Sequence, residues 1–311
     1  MVLISARHIT KTYPDTGQTA LTDVSFEVNE KEIFGLIGPD GSGKSSLLRI
    51  LATVILPDNG EATMFHHDVV TDFRLIRQSI GYMPGRFSLY TDLSVEENLQ
   101  FFATLYGVSI EENYSIIRDI YTQLEPFKNR RAGKLSGGMK QKLALCCALI
   151  HHPRILLLDE PTTGVDPVSR KEFWDILHTL RGKGMTILVS TPYMDEAERC
   201  DRIALIQEGK ILSIDTPVGI TDQYPYALYG VRSSDIRRTL QVLRVSAMIS
   251  TCYSFGESLH VTFKNDETAI DLLREELAAH HISDISITPI NPHIEDCFIQ
   301  LMNSHERRSH Y

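Results

Sequence analysis

The chain has 311 residues, with 31 basic and 40 acidic side chains and a formal net charge of -9 at pH 7. This length predicts two domains, and 42% hydrophobic with 23% charged residues excludes a disordered or fibrous chain. The acidic balance argues against nucleic acid as a partner, because no excess of cations is present to neutralise phosphates. No uncharged apolar run approaches the ~18–20 residues that cross a bilayer. Since residues 1–8 also lack the layout of a signal peptide, we expect the chain in the cytosol.

Strands and helices alternate over the first two thirds of the chain. In chain order the pattern predicts strands at 2–9, 21–28 and 33–37, a helix at 44–51, and strands near 61–65 and 79–83. A helical region from about 94 to 131 begins with Ser94 and Glu97 in the pattern of a capping box. It is followed by a helix at 136–150, a strand at 155–158, a helix at 168–181 and a strand at 186–190. This order predicts an α/β sheet with a helical insert at about 88–150.

The pattern changes after Asp215. Residues 226–290 read as strand, helix, strand, strand, helix, strand, which predicts a small ferredoxin-like α+β unit, followed by a helix at about 293–302. We place the boundary at 216–219, so that the first domain spans 1–219 and a C-terminal accessory domain spans 220–311.

The five cysteines are Cys146, Cys147, Cys200, Cys252 and Cys297. They form no C-x-x-C pair, and their odd number argues against a disulfide framework. We therefore expect reduced, buried thiols that pack as small hydrophobic side chains.

A glycine-rich loop follows the apolar strand at 33–37 and precedes a helix. It fits G-x-x-x-x-G-K-[ST] in full, and such a loop presents backbone N–H groups to phosphate oxygens at a helix N-terminus. Lys44 would reach the β- and γ-phosphates, and the Ser45 hydroxyl would ligate Mg²⁺. The candidate phosphate-binding residues are Gly38, Pro39, Asp40, Gly41, Ser42, Gly43, Lys44, Ser45 and Ser46.

Two carboxylates end the second buried strand, at 155–158. Asp159 and Glu160 are therefore expected at the carboxyl edge of the sheet, where α/β proteins bind ligands. Asp159 would hold Mg²⁺ through a water, and Glu160 would polarise the attacking water as general base.

A third motif opens the helix between those two. Its residues are Leu135, Ser136, Gly137, Gly138 and Met139. The serine and the two glycines predict a second phosphate-binding helix N-terminus, which a single nucleotide site on one chain does not need. The motif makes sense if it closes over a nucleotide held by another chain. Met139 itself fits a buried helix residue.

The order of phosphate loop, LSGGM, ILLLDEP and TTGVD resembles the ATP-binding subunits of ABC transporters over about residues 1–219. The resemblance implies a P-loop NTPase fold with a helical insert, ATP and Mg²⁺ as cofactors, and ATP hydrolysis. It also implies that Tyr13 stacks on adenine and that Asp166 belongs to a loop acting across a dimer. From the residues alone, Asp166 followed by Pro167 is a helix cap.

The segment Pro-His-Ile-Glu-Asp-Cys-Phe at 292–298 looks like the P-x-L-E-D-x-F motif that ends the accessory domain of ABC-2-type exporter subunits. An ordinary amphipathic helix is the alternative for this segment. The family reading implies dimerisation or regulation rather than catalysis.

Two positions depart from the family pattern. Gly85 stands where the family has a glutamine that contacts Mg²⁺ and the attacking water. Pro192 stands where the family has a histidine that contacts the γ-phosphate. Proline offers neither a side-chain donor nor a backbone N–H, although Arg86 beside the first gap could supply charge. We expect a site that binds ATP and hydrolyses it poorly.

The resemblance implies an ATP-binding subunit of an ABC-2-type exporter on the inner face of the cell membrane, working through an integral membrane permease. A heterodimer or a tandem fusion with a second ATP-binding domain is favoured over a homodimer, because both sites of a homodimer would carry both departures. Phe87, Leu89 and Tyr90 are candidate permease contacts, or else core residues. The alternative is a soluble ABC-type ATPase or a regulatory ATP-binding protein without a permease.

Overall fold

The computed structural model of the chain describes residues 1–264, 269–282 and 284–309. Residues 265–268, 283 and 310–311 of the predicted accessory domain lie outside the described residues, as do the side chains at 269 and 305–309. The chain forms two compact units, one comprising Met1–Val218 with Gln300–Tyr311 and the other Gly219–Ile299.

The secondary structure consists of strands, α-helices and three short 3-10 helices. In chain order the strands are β1 (Val2–Tyr13), β2 (Gln18–Asn29), β3 (Ile33–Ile37), β4 (Asn59–Met64), β5 (His67–Asp68), β6 (Ile80–Met83), β7 (Ile155–Asp159), β8 (Thr186–Thr191), β9 (Arg202–Gln207), β10 (Lys210–Asp215), β11 (Leu228–Ser233), β12 (Ile249–Phe255), β13 (Ser258–Phe263) and β14 (Ile285–Ile290). The α-helices are α1 (Lys44–Leu51), α2 (Phe73–Ser79), α3 (Val95–Tyr106), α4 (Ile110–Tyr121), α5 (Gly137–Leu149), α6 (Pro167–Gly182), α7 (Pro217–Asp222), α8 (Ile236–Val245), α9 (Ala269–Ala279) and α10 (Ile294–Ser309). The 3-10 helices are Glu125–Phe127, Ala132–Lys134 and Met194–Arg199.

A six-stranded sheet with the order β10-β9-β3-β8-β7-β6 forms the centre of the first unit. All neighbouring pairs are parallel except β9 and β10, so the carboxyl ends of β3, β7 and β8 meet at one edge. Every residue of these three strands is buried, which explains their continuous apolar patterns. This arrangement places the phosphate loop after β3 beside the carboxylates after β7.

A second, antiparallel sheet has the order β2-β1-β4-β5. One apolar core joins it to the parallel sheet and to α1, with Ile4 on β1, Leu36 on β3 and Leu47 on α1 all fully buried. β1 extends four residues beyond the predicted strand, to Tyr13, because it pairs with β2 up to Gln18. That extension carries Tyr13 toward α1.

The region between β6 and β7 is helical, with α3, α4 and α5 as its main elements. The predicted capping box at the start of α3 is confirmed: the Ser94 hydroxyl accepts from the Glu97 N–H at 3.1 Å, and the Glu97 carboxylate accepts from the Ser94 N–H at 2.7 Å. Among the described helices, none is both long enough and apolar enough to cross a membrane. All five cysteines are free and buried, as expected.

The second unit contains a four-stranded sheet with the order β12-β13-β11-β14, in which every pair is antiparallel. Residues of α8 and α9, including Leu243 and Leu277, share one buried core with the strands. Within the predicted C-terminal motif, the Asp296 carboxylate accepts from the His293 N–H at 2.9 Å and lies 2.8 Å from His260 Nδ1. These contacts fix the first turn of α10 to β13.

Candidate functional site

The phosphate loop connects β3 to α1 through a backbone that needs glycine at its last turn. Gly43, immediately before α1, has φ 105° and a side chain there would overlap the carbonyl oxygen of Ala20. Within the loop, Ser42 is buried and its Oγ has no hydrogen-bond partner among the described residues. A buried hydroxyl with no partner, in a partly exposed loop at a helix N-terminus, fits an anionic ligand such as a phosphate.

Lys44 is the first residue of α1 and is 2% exposed. Its Nζ donates to the carbonyl oxygens of Gly38 at 2.8 Å and Pro39 at 2.9 Å, and it lies 3.3 Å from Glu160 Oε1. The structure thus folds the cation back over the loop and beside the second carboxylate, where it can neutralise phosphate charge.

Ser45 and Asp159, predicted to share a metal, lie together. The Ser45 hydroxyl donates to Asp159 Oδ1 at 2.9 Å, across the gap between the start of α1 and the end of β7. Hydroxyl and carboxylate oxygens are the ligands that Mg²⁺ prefers, so this pair fits the ion. Burial and the nearby Asp159 charge also raise the pKa of the Tyr82 phenol.

No role for Ser190, on β8, follows from the sequence pattern alone. Its hydroxyl donates to Asp159 Oδ1 at 2.8 Å and accepts from the Glu160 N–H at 3.0 Å. Its role follows from strand pairing, since β8 lies beside β7 in parallel and places Ser190 opposite Asp159. The carboxylate edge of the site is therefore built by two strands.

Tyr13 reaches α1 from the end of β1. Its hydroxyl lies 3.0 Å from Ser46 Oγ, so the half-buried ring is held beside the first turn of the helix that follows the phosphate loop. An aromatic ring at this position is available for stacking on a base.

The third motif begins α5. Ser136 caps the helix by accepting from the Met139 N–H at 3.3 Å, and in the described part of the chain this is its only side-chain hydrogen bond. Ser136 and Gly137 are exposed, whereas Leu135 and Gly138 are buried. Met139, expected to be buried, is half-buried because it lies in the exposed first turn. The helix N-terminus is thus presented outward.

Asp166 caps α6. Its carboxylate accepts from the N–H groups of Val168 at 3.1 Å and Ser169 at 3.0 Å, with Pro167 at the first helical position. These hydrogen bonds hold the pKa of Asp166 below its usual value. The predicted helix cap is confirmed.

The two departing positions border this site. A Cβ on Gly85 would lie 3.2 Å from the Asp159 carbonyl oxygen and 3.5 Å from Asp159 Oδ2, so position 85 faces the carboxylate without a side chain. Pro192 directly follows β8 and is half-buried. Arg86 is exposed.

The candidate permease contacts differ in exposure. Leu89 is 7% exposed and belongs to the core, whereas Tyr90 is 50% exposed and packs edge-to-face on Phe101 at 4.8 Å. Phe87 is half-buried, with the Lys140 ammonium 5.6 Å from its ring centre.

The family model described as "ABC transporter" matches residues 21–163. The probable multidrug ABC transporter ATP-binding protein YbhF of Escherichia coli (strain K12) is 38% identical over 96% of this chain and 52% of its own length. The chain thus spans about half the length of that relative. The Nod factor export ATP-binding protein I of Rhizobium etli is 32% identical over 97% of this chain and 93% of its own length.

Solved structures agree with these relatives. The ATP-binding subunit of an ABC transporter superimposes with a TM-score of 0.64 at 29% identity, over 71% of this chain and 93% of its own. The dimeric ATP-binding cassette MJ0796, bound to ADP and Pi, gives a TM-score of 0.62 at 28% identity, over 69% of this chain and 98% of its own.

Proposed function

The chain belongs to the family of ABC transporter ATP-binding proteins, and on that basis we propose that it binds and hydrolyses ATP to drive an ABC-2-type exporter. The observation that carries the proposal is the single cluster formed by Lys44, Ser45, Asp159 and Glu160 after β3 and β7. Integral membrane permease subunits would form the transport path, and this chain would lie peripherally on the inner face of the membrane. The names of the export relatives support this assignment.

The residues of the cluster have separate roles. The loop N–H groups and Lys44 bind the phosphates, and Tyr13 stacks on the adenine. Ser45 and Asp159 would hold Mg²⁺. When bound, the ion would neutralise charge that develops on the phosphates. Glu160, 20% exposed at its side chain and beside Lys44, accepts the proton of the attacking water.

The site built on this chain is slow, because two groups that contact the reacting phosphate or water are missing. Loss of one preorganised transition-state donor costs on the order of 10²–10³ in rate. Gly85 and Pro192 remove one contact each, whereas the phosphate loop and the Ser45–Asp159 pair are intact. Nucleotide binding is therefore retained while turnover falls.

The missing contacts affect only this chain's own nucleotide. The outward-facing Ser136 and Gly137 at the start of α5 are intact and would close over the nucleotide of a second ATP-binding domain. The loop that contains Asp166 would act between the two ATP-binding domains. An asymmetric pair, as a heterodimer or tandem fusion, would contain one working site and one largely structural site. A symmetric homodimer would carry both defects twice.

We also propose the domain assignment. The ATP-binding domain spans 1–219 with its helical insert at about 88–150. The accessory domain predicted at 220–311 has a ferredoxin-like body at 220–299, since the end of α10 from Gln300 groups with the first unit. The strand order β12-β13-β11-β14 and the alternation of β11, α8, β12, β13, α9 and β14 support the second part. Its role is dimerisation or regulation.

The test measures binding of a fluorescent ATP analogue and steady-state ATPase activity of the purified chain. We expect nucleotide binding that Mg²⁺ strengthens, and weak turnover. Both are expected to be lost in Lys44→Ala and retained in Lys210→Ala, which removes an exposed lysine of β10. Robust turnover by the chain alone, abolished by Glu160→Gln, would refute the impaired site. Failure to co-purify with a membrane permease would favour an ABC-type ATPase without one.

A further inference from the structure

The geometry points to Ser190 as a positioning residue of the nucleotide site: its single hydroxyl holds both the Asp159 carboxylate and the Glu160 backbone in place. The inference rests on the proposed function for the identity of the ligand, Mg²⁺ with ATP. The inference adds to that site a buried side chain that contacts the Asp159 carboxylate and the Glu160 backbone.

Ser190 is placed for this role by the sheet. It is the last residue but one of β8, is fully buried, and lies opposite Asp159 in the parallel β7–β8 ladder. Its Oγ donates to Asp159 Oδ1 at 2.8 Å and accepts from the Glu160 N–H at 3.0 Å. A hydroxyl has one proton to donate and lone pairs to accept, so both bonds can form at once.

The bond to Glu160 fixes an uncommon backbone conformation. Glu160 has φ 48°, a region that residues other than glycine seldom occupy and that persists where surrounding contacts hold it. The Glu160 N–H is shared between the Oγ and the carbonyl oxygen of Ser190, the latter at 3.1 Å. This turn directs the Glu160 carboxylate toward Lys44 Nζ, 3.3 Å away.

The bond to Asp159 matters most when a cation is present. Asp159 Oδ1 accepts from Ser45 and from Ser190, and the Ser45 hydroxyl is the group that would turn its lone pair toward Mg²⁺. Position 85, which faces Asp159 Oδ2, has no side chain to restrain the carboxylate. Ser190 is then the side chain that keeps Asp159 oriented, in the manner of outer-shell partners of metal ligands.

The experiment titrates Mg²⁺ against binding of a fluorescent ATP analogue to the full chain. Ser190→Ala removes the hydroxyl, and Ser190→Thr keeps it. Thr186→Val is the matched control, because Thr186 lies on the same face of β8 and its hydroxyl accepts from the Lys31 N–H at 2.8 Å, at the opposite end of the strand. Thermal unfolding without nucleotide shows that each variant is folded.

We expect Ser190→Ala to raise the Mg²⁺ concentration at half-saturation about 10–100-fold, the usual effect of losing an outer-shell partner. Binding of the analogue without Mg²⁺ is expected to be unchanged, and Ser190→Thr and Thr186→Val to resemble the wild type. If the Mg²⁺ concentration at half-saturation is unchanged in Ser190→Ala, or rises equally in Thr186→Val, the role of Ser190 is overturned while the proposed function is not. Absence of nucleotide binding by the wild-type chain would overturn the proposed function and this role with it.

Discussion

A methyl group on Gly138 would lie 2.7 Å from the hydroxyl oxygen of Ser169 and 2.9 Å from its Cβ, so α5 and the first turn of α6 approach here as closely as glycine permits. The same two helices are joined further along by the Lys142–Glu172 ion pair at 2.6 Å. Because Asp166 caps α6 and Ser136 caps α5, the two loops proposed to contact a second ATP-binding domain are linked through packed helices.

This contact predicts that alanine destabilises the fold at only one of the two glycines of the third motif. Gly138→Ala is expected to destabilise the fold by about 1–3 kcal/mol, the usual cost of overpacking. Gly137→Ala is the matched control, since its Cβ would meet only the Gly164 carbonyl oxygen at an ordinary 3.5 Å. Urea unfolding of both variants measures the difference. Equal stability of the two variants would contradict the close packing of α5 on α6.

If the site is impaired as proposed, supplying glutamine at position 85 and histidine at position 192 is expected to increase ATP hydrolysis. In Gly85→Gln/Pro192→His, position 85 points a donor at the Asp159 edge and position 192 regains a side chain that can contact a phosphate. We expect ATPase activity to rise on the order of 10²-fold, the effect of one preorganised donor or more. Steady-state phosphate release from the chain alone measures the change.

The control for this gain is the same double variant with Glu160→Gln, which is expected to return to background. A double variant that binds ATP as tightly as the wild type but shows no gain in turnover would mean that positions 85 and 192 do not limit the reaction.

Exposure decides which of the candidate permease contacts can be tested. Tyr90→Asp, on a half-exposed ring, is expected to abolish co-purification with the permease while destabilising the chain by only about 0.5–1.5 kcal/mol, the value of the lost ring contact with Phe101. Leu89→Asp places a charge in the core and is expected to destabilise the chain itself. Co-purification and unfolding measured on both variants distinguish the two effects. Unchanged co-purification of Tyr90→Asp would refute this docking position.

The motif residues could be predicted because their chemistry depends on local spacing. The phosphate loop, the Asp159–Glu160 pair and the Ser136 cap each lie within a few residues of a buried strand or helix start. In the structure Ser45 lies beside Asp159, and Ser136 caps α5. The role of Ser190 could not be predicted in this way, because it depends on which strand lies beside β7.

Elements without a strong periodic pattern were also missed. The pattern does not predict β10, which is only half-buried, and the turn between β9 and β10 is set by Glu208 and Gly209, both with positive φ. The predicted β1 ends before the observed strand because its last four residues, which include Tyr13, are half-buried and alternate weakly. Tertiary pairing supplies what the local pattern lacks in these segments.

The cysteine thiols are expected to be unreactive in the folded chain. Burial raises the pKa of Cys297 to about 12 and that of Cys252 to about 11, and it raises the pKa of the other three further. Since the thiolate is the nucleophile, modification by a disulfide reagent at pH 8 is expected to be slow, and fast after unfolding in guanidinium. Rapid modification of the folded chain would contradict the burial of at least one thiol.

The cap of α6 is expected to lose its effect at low pH. The N–H groups of Ser169 and Val168 lower the pKa of Asp166, so its contribution to stability is fully present above the unfolded value of about 3.9. That contribution is lost as pH falls through the lower, folded value. Asp166→Ala is therefore expected to lower the melting temperature at pH 7, by an amount that shrinks below about pH 4.

Asp166→Asn separates the hydrogen bonds from the charge, since asparagine caps helices as well as aspartate does. Its melting temperature at pH 7 is expected to lie near that of the wild type. Asp175→Ala, on the exposed middle of α6, is the control for removing a carboxylate without a cap. A difference between Asp166→Ala and the wild type that stays constant from pH 7 to pH 3 would show that the ionised carboxylate does not supply the cap.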